Sequence, residues 1–196
     1  MLLTATAQLS VDGVMQAPGV NVVEDEREFD RRGWAHFDDE AGAAMDEIFG
    51  RASAFLFGRR TYELFASTWG SWPDPGGSRI WTALNTQPKH VASATLVSHA
   101  WPGTSVLSGD VAGAIRALTP TPGRELQVHG SGALFRWLLE NNLVDEMNLF
   151  TFPVIVGRGT RLFAGSGPSA ALRLVSSRST TSGVLISVYR RAVGAD

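Results

Sequence analysis

The stretch that most constrains this chain is LQVHGSGALFRWLLENNLVDEMNLF, residues 126–150. A short apolar run ends in His129-Gly130-Ser131-Gly132. A run of helical period follows at once, with Leu134, Phe135, Leu138 and Leu139 on one side. Strand, tight glycine turn and helix start in direct succession present free backbone N–H groups to a phosphate. A second segment of the same kind lies upstream. Ala54-Phe55-Leu56-Phe57 reads as an apolar strand, and Gly58-Arg59-Arg60-Thr61-Tyr62-Glu63 opens the next helix. One glycine-rich and one arginine-rich strand-to-helix turn point to a bound dinucleotide phosphate.

The rest of the chain extends this alternation. Leu2 to Ser10 reads as the first strand, and Val11-Asp12-Gly13-Val14-Met15 turns out of it. Residues 16–40 read as a long loop, with Asp38-Asp39-Glu40 suited to start an Ala-rich helix that ends near Gly50. A short helix from Arg59 to about Phe65, a Pro- and Gly-rich loop over 69–78, and a helical turn over 79–84 come next. Lys89 to Ala92 reads as a short strand, Asp110 to Leu118 as a helix with Asp110 near its N-cap, and Glu125 to Val128 as a strand. After the helix from Ala133 to Asn141, Glu146 to Phe152 reads as a strand and Pro153 to Gly159 as a loop. Ala171 to Ser177 and Val184 to Arg191 alternate apolar and polar residues around Thr181-Ser182-Gly183, the pattern of an antiparallel hairpin. The whole predicts one α/β domain over 1–196, a mixed and mostly parallel sheet with helices on both faces and a C-terminal hairpin.

Composition removes several classes of function. The net charge is −2 with no basic block, so a nucleic-acid partner is not expected. The absence of cysteine excludes disulfides, thiol catalysis and cysteine-ligated zinc. His36, His90, His99 and His129 have no metal-ligand spacing, so no metal site is expected. No apolar run is long enough to span a membrane, and the N-terminus reads as a strand rather than a signal peptide. The expectation is a soluble cytoplasmic protein acting on a small molecule.

Each candidate site residue has a plain structural reading beside the functional one. Gly130-Ser131-Gly132 is either a simple βα turn or a phosphate cradle. It is not a complete dinucleotide fingerprint, because Phe135 takes the third glycine position of G-x-G-x-x-G. It is not a nucleophile elbow either, because His129 stands two residues before Ser131. Arg59 and Arg60 are either solvated or bind an anion. Positive side chains at a helix start oppose the dipole, which favours the anion, and a guanidinium suits the 2′-phosphate of NADP. Thr61 adds a hydroxyl. Ser93, just past a strand end, is either a turn serine or part of the adenosine side. Asp12-Gly13 is either a turn or, at the carboxyl end of the first strand, near a ligand.

The motifs S-V-D-G-V-M, F-G-R-R-T-Y-E, K-H-V-A-S, V-H-G-S-G-A-L and D-E-M-N-L-F-T-F-P-V-I-V-G-R-G-T-R-L-F occur in this order. Together they resemble the dihydrofolate-reductase-like family that includes the reductase domain of the riboflavin-synthesis deaminase–reductase. The resemblance runs from about Leu2 to Arg191. It implies a three-layer reductase fold and NADPH bound across the sheet. Gly58, Arg59, Arg60 and Thr61 would lie near the 2′-phosphate and pyrophosphate, Ser93 on the adenosine side, and Gly130, Ser131 and Gly132 at the pyrophosphate. Asp12 would lie beside the nicotinamide and substrate, as the candidate for substrate contact or proton relay. Homodimers are common in the family. Two departures matter. An ungapped count places the substrate-facing carboxylate of dihydrofolate reductases at Gly42, and the cysteine-dependent zinc deaminase domain is not expected here. The activity implied is reduction of a small pyrimidine- or pteridine-like heterocycle. The alternatives are the reductase acting on 5-amino-6-(5-phosphoribosylamino)uracil and a nucleotide-binding dimer without catalysis.

Overall fold

The structure, a computed structural model, describes residues 1–19, 33–96, 99–163 and 169–192. Its elements in chain order are β1 (Leu2–Ser10), α1 (Asp39–Phe49), β2 (Ala52–Gly58), α2 (Arg59–Ser67), α3 (Arg79–Thr86), β3 (Lys89–Ala92), β4 (Thr104–Leu107), α4 (Val111–Leu118), β5 (Glu125–His129), α5 (Gly132–Glu140), β6 (Glu146–Phe152), β7 (Leu172–Ser179) and β8 (Leu185–Arg191). They build an eight-stranded sheet in the order β4-β3-β2-β5-β1-β6-β8-β7. The first six strands run parallel, and β8 and β7 close the sheet as an antiparallel hairpin. This is the mixed, mostly parallel sheet that the strand–helix alternation predicts. Among the described residues, β4 is the one strand that the pattern does not announce.

Two hydrophobic clusters lie on opposite faces of the sheet. On one face, Ala41, Ala44, Met45, Ile48 and Phe49 of α1 pack with Phe55, Phe57, Phe150 and Phe152, joined by Tyr62 of α2 and Leu84 of α3. On the other, Ile115 of α4 and Leu134, Phe135 and Leu138 of α5 cover Leu3, Ala5, Ala7, Leu126 and Val128. β1 alternates accordingly. Its odd residues enter the α5-side cluster, while Thr4, Thr6 and Ser10 are buried without joining either cluster. A parallel strand covered on both faces is usually apolar throughout, so a buried polar row beneath α1 calls for hydrogen-bond partners.

The N-terminus of α1 is fixed to the far end of the sheet. Asp38 caps the helix by accepting from Ala41 N, as the acidic run predicts. The same carboxylate accepts from Ser182 N and Oγ, and Glu40 Oε2 accepts from Thr181 N and Oγ1. The Ser182 hydroxyl foremost, together with these other donors, holds Asp38 well below the usual carboxylate range. Asp38 and Glu40 are therefore consumed in docking the β7–β8 turn.

Candidate functional site

Chain direction turns back at β5, which is inserted between β2 and β1. In open parallel sheets such a reversal leaves a crevice at the carboxyl ends of the strands. Two helix N-termini meet there. Gly58 N-caps α2 and Ser131 N-caps α5, and neither cap offers a side-chain acceptor to its own helix. The Ser131 hydroxyl instead accepts from Gly58 N at 2.9 Å and ties the two turns together. Gly130 and Ser131 both take the left-handed conformation, at φ 62° and 54°. For serine this costs roughly 1–2 kcal/mol, offset in part by the bond to Gly58. A Cβ on Gly130 would lie 3.5 Å from Thr61 Cγ2, so Thr61 borders the glycine turn.

The first turns of α2 and α5 thus lie together with their N–H groups uncapped, which is the physical requirement for an anion site. Arg59 and Arg60 are both exposed at the start of α2. Arg59 Nη1 lies 3.4 Å from Glu63 Oε1, one helical turn on. Among the described residues Arg60 makes no ion pair. Ser93 follows β3, whose Ala92 is in register with Gly58, so it stands one strand over on the same edge. Its Oγ accepts from Thr95 N and Leu96 N, the turn-serine role.

Two of these residues have structural duties of their own. Gly132 is the third residue assigned to close approach of a pyrophosphate. A Cβ there would run into Met15 Sδ, so the small residue accommodates the side chain that follows the β1 turn. Asp12 has a bracing role. Its Oδ1 accepts from Ser10 Oγ and Val156 N, and its Oδ2 accepts from Gly157 N and pairs with Arg161 Nη2 at 3.2 Å. Arg161 Nε also donates to the Asp12 carbonyl. The Ser10 hydroxyl foremost, with the amides of the 156–157 loop, lowers the Asp12 carboxyl to about 2. A carboxylate so engaged braces the 156–161 loop against the β1 turn. What no local pattern could show is that its partners lie some 145 residues downstream.

Asp12→Asn should therefore lower the melting temperature near neutral pH and leave the pH profile of any activity unmoved. The folded-state value lies below the ordinary 3.8. The wild-type advantage should then be full above pH 3.8 and be lost as pH falls toward about 2. Melting curves of both proteins across that range check this.

The model of the RibD C-terminal domain matches residues 2–186. The chain belongs to the RibD C-terminal domain family. Solved structures agree on the fold. A protein named for riboflavin biosynthesis from Shewanella sp. PV-4 superposes with a TM-score of 0.74 at 21% identity, covering 98% of this chain and 99% of that one. A pyrimidine reductase-like protein from Corynebacterium diphtheriae gives 0.64 at 16% identity, covering 97% and 92%. Dihydrofolate reductase from Enterococcus faecalis, complexed with NADP(H) and RAB-propyl, gives 0.62 at 15% identity, covering 97% and 96%. At these identities the likeness establishes the dihydrofolate-reductase-like fold alone. The uncharacterized protein YyaP of Bacillus subtilis (strain 168) is 27% identical over 127 residues. That match covers 62% of this chain and 66% of the relative, just under two thirds of its length.

Proposed function

We propose that this RibD C-terminal domain protein is an NADPH-dependent reductase of a small pyrimidine- or pteridine-like heterocycle. The observation that carries the reading is the clasped pair of uncapped helix N-termini beside Arg59 and Arg60. The backbone N–H groups of residues 59–61 and 132–134 would hold the pyrophosphate, and Arg60 with Thr61 the 2′-phosphate. When bound, the cofactor supplies hydride to a C=N or C=O bond. The chain's part is to hold the nicotinamide end over the carboxyl ends of β5 and β1 and to present polar side chains to the substrate. Family membership and the NADP(H) complex of the Enterococcus reductase support the reading. NADPH and NADH titrations, followed by NADPH oxidation with a panel of pyrimidines and pteridines, test it. Binding without turnover of any substrate would leave a nucleotide-binding protein.

Within this reading, the most specific substrate is 5-amino-6-(5-phosphoribosylamino)uracil, supported by the family match over nearly the whole chain. Complementation of a riboflavin auxotroph lacking that reductase tests it directly.

We also propose a homodimer. The expected contact segment, Pro153–Phe163, leaves Ile155 71% and Phe163 46% exposed. The edge strand β7 is exposed along its whole length, with Leu172 and Leu174 open to solvent. Light scattering at micromolar concentration should return twice the chain mass. A monomer would remove the dimer and leave the cofactor site untouched, because both helix N-termini belong to one chain.

A further inference from the structure

Glu125, Gln127 and His129 lie two residues apart on β5, so their side chains leave the sheet on one face, beneath α1. They form a continuous hydrogen-bonded row. Arg51 Nε donates to Glu125 Oε1, Gln127 Nε2 meets Glu125 Oε2 at 2.7 Å and the Ile48 carbonyl at 2.6 Å, and Gln127 Oε1 meets His129 Nε2 at 2.9 Å. The chemistry fixes the direction of every bond. A guanidinium only donates, and a carbonyl only accepts. Both neighbours of one end of the Gln127 amide are acceptors, so that end is the NH2 group and the other is the oxygen. An oxygen facing a ring nitrogen requires that nitrogen to carry the proton. His129 is therefore the Nε2–H tautomer, and its Nδ1 holds a lone pair.

Nδ1 has no hydrogen-bond partner, yet no buried side-chain nitrogen or oxygen among the described residues lacks one. Nδ1 therefore keeps some solvent access, in a residue that is only 5% exposed. It does so from the last residue of β5, immediately before the Gly130–Ser131 turn, at the strand end where the crevice opens. Phe49 stacks on the ring at 4.0 Å and 17°, which fixes the plane of the lone pair. The neighbouring groups in register are neutral: Thr6 beside His129, and Asn148 beyond it, with Asn148 Nδ2 donating to Thr6 Oγ1.

We propose that His129 Nδ1 is the acceptor for a ring N–H of the substrate, so that the site selects a lactam-type heterocycle. This rests on the reductase reading above for what occupies the crevice. A ring N–H meets a fixed in-plane lone pair without freezing further rotors, whereas a sugar hydroxyl must lose torsional freedom. Burial lowers the ring's pKa to about 3, which keeps the acceptor unprotonated at working pH. His129 binds and orients; it does not donate the proton that completes reduction.

Two measurements test this. The first uses 15N-labelled protein alone, with the His129 signals assigned by their loss in His129→Phe. Nδ1 should be pyridine-like and Nε2 protonated, unchanged from about pH 5 to about pH 8. A protonated Nδ1, or titration in that range, would overturn the proposal. The second titrates NADP+-saturated protein with 5,6-diaminouracil and with its 1,3-dimethyl derivative, which lacks the ring N–H groups. The parent should bind about tenfold more tightly or better, and His129→Phe should erase the difference while keeping the aromatic stack. Equal affinities, no binding of the parent, or a difference that survives in His129→Phe would overturn it. Failure of NADP+ itself to bind would strike the reductase reading, while the tautomer measurement on the protein alone still tests the His129 acceptor independently.

Discussion

Arg60→Ala should weaken NADPH about ten- to a hundredfold and leave NADH nearly unchanged. Both arginines at the start of α2 are exposed, but they are not equivalent. The Arg59 guanidinium lies beside Glu63, whereas Arg60 has no acidic partner among the described residues. A positive side chain at a helix start opposes the dipole, and an added phosphate dianion would relieve that arrangement. Losing a charge-assisted contact costs roughly 1.5–3 kcal/mol, which gives the range stated. Arg59→Ala should cost less, because part of its charge is already spent on Glu63. The NADPH advantage should also shrink with rising salt, since the contact is solvent-exposed and screened. Fluorescence titration of both cofactors with both variants checks this. Equal losses of NADPH and NADH in Arg60→Ala would overturn the 2′-phosphate assignment.

The parts of the fold legible from sequence are those whose cause is local. The α5 stripe of Leu134, Phe135, Leu138 and Leu139 is buried as its period requires. The Asp110 cap is legible because it bonds only three residues ahead, and the β7–β8 hairpin shows as alternation around a glycine turn. β4 is not legible, because its four residues owe their extended form to pairing with β3 rather than to any pattern of their own. In the site, the two strand-to-helix turns can be read from their glycines and arginines. That Ser131 leaves its own helix uncapped to hold Gly58, 73 residues upstream, cannot. The partners of Asp12 are hidden for the same reason. An Asp-Gly after a strand reads as a turn with a free carboxylate, and only the folded chain brings Val156, Gly157 and Arg161 to it. His129 is visible as a residue, but its role depends on a row of side chains whose direction is set by Ile48 and Arg51, outside its own strand.

Dihydrofolate should be turned over well below about 1 s⁻¹, the low end of ordinary enzymes. Reducing the pterin C=N bond requires a proton at the ring nitrogen, and an acid placed nearby contributes typically 10²–10⁴-fold. The sheet-facing positions of α1 are Ala41, Ala44, Met45, Ile48 and Phe49, all apolar. Gly42 stands where the ungapped count expects the carboxylate, and a Cβ there would touch nothing within 4 Å. Of the acids around it, Asp38 and Glu40 hold the β7–β8 turn, Asp39 is exposed to solvent, and Asp46, one turn on, is half-buried and outside the sheet-facing set. The buried polar row opposite does not supply the proton either. Thr6 and Asn148 are neutral, Glu125 is paired with Arg51 at the start of β5, and His129 is held deprotonated by burial. Steady-state NADPH oxidation with dihydrofolate measures the rate, and Gly42→Asp probes the cause. An aspartate at that open position should raise a slow rate if a missing acid is the limit. Wild-type turnover above about 1 s⁻¹ would show that the proton reaches the substrate by a route that needs no carboxylate on α1.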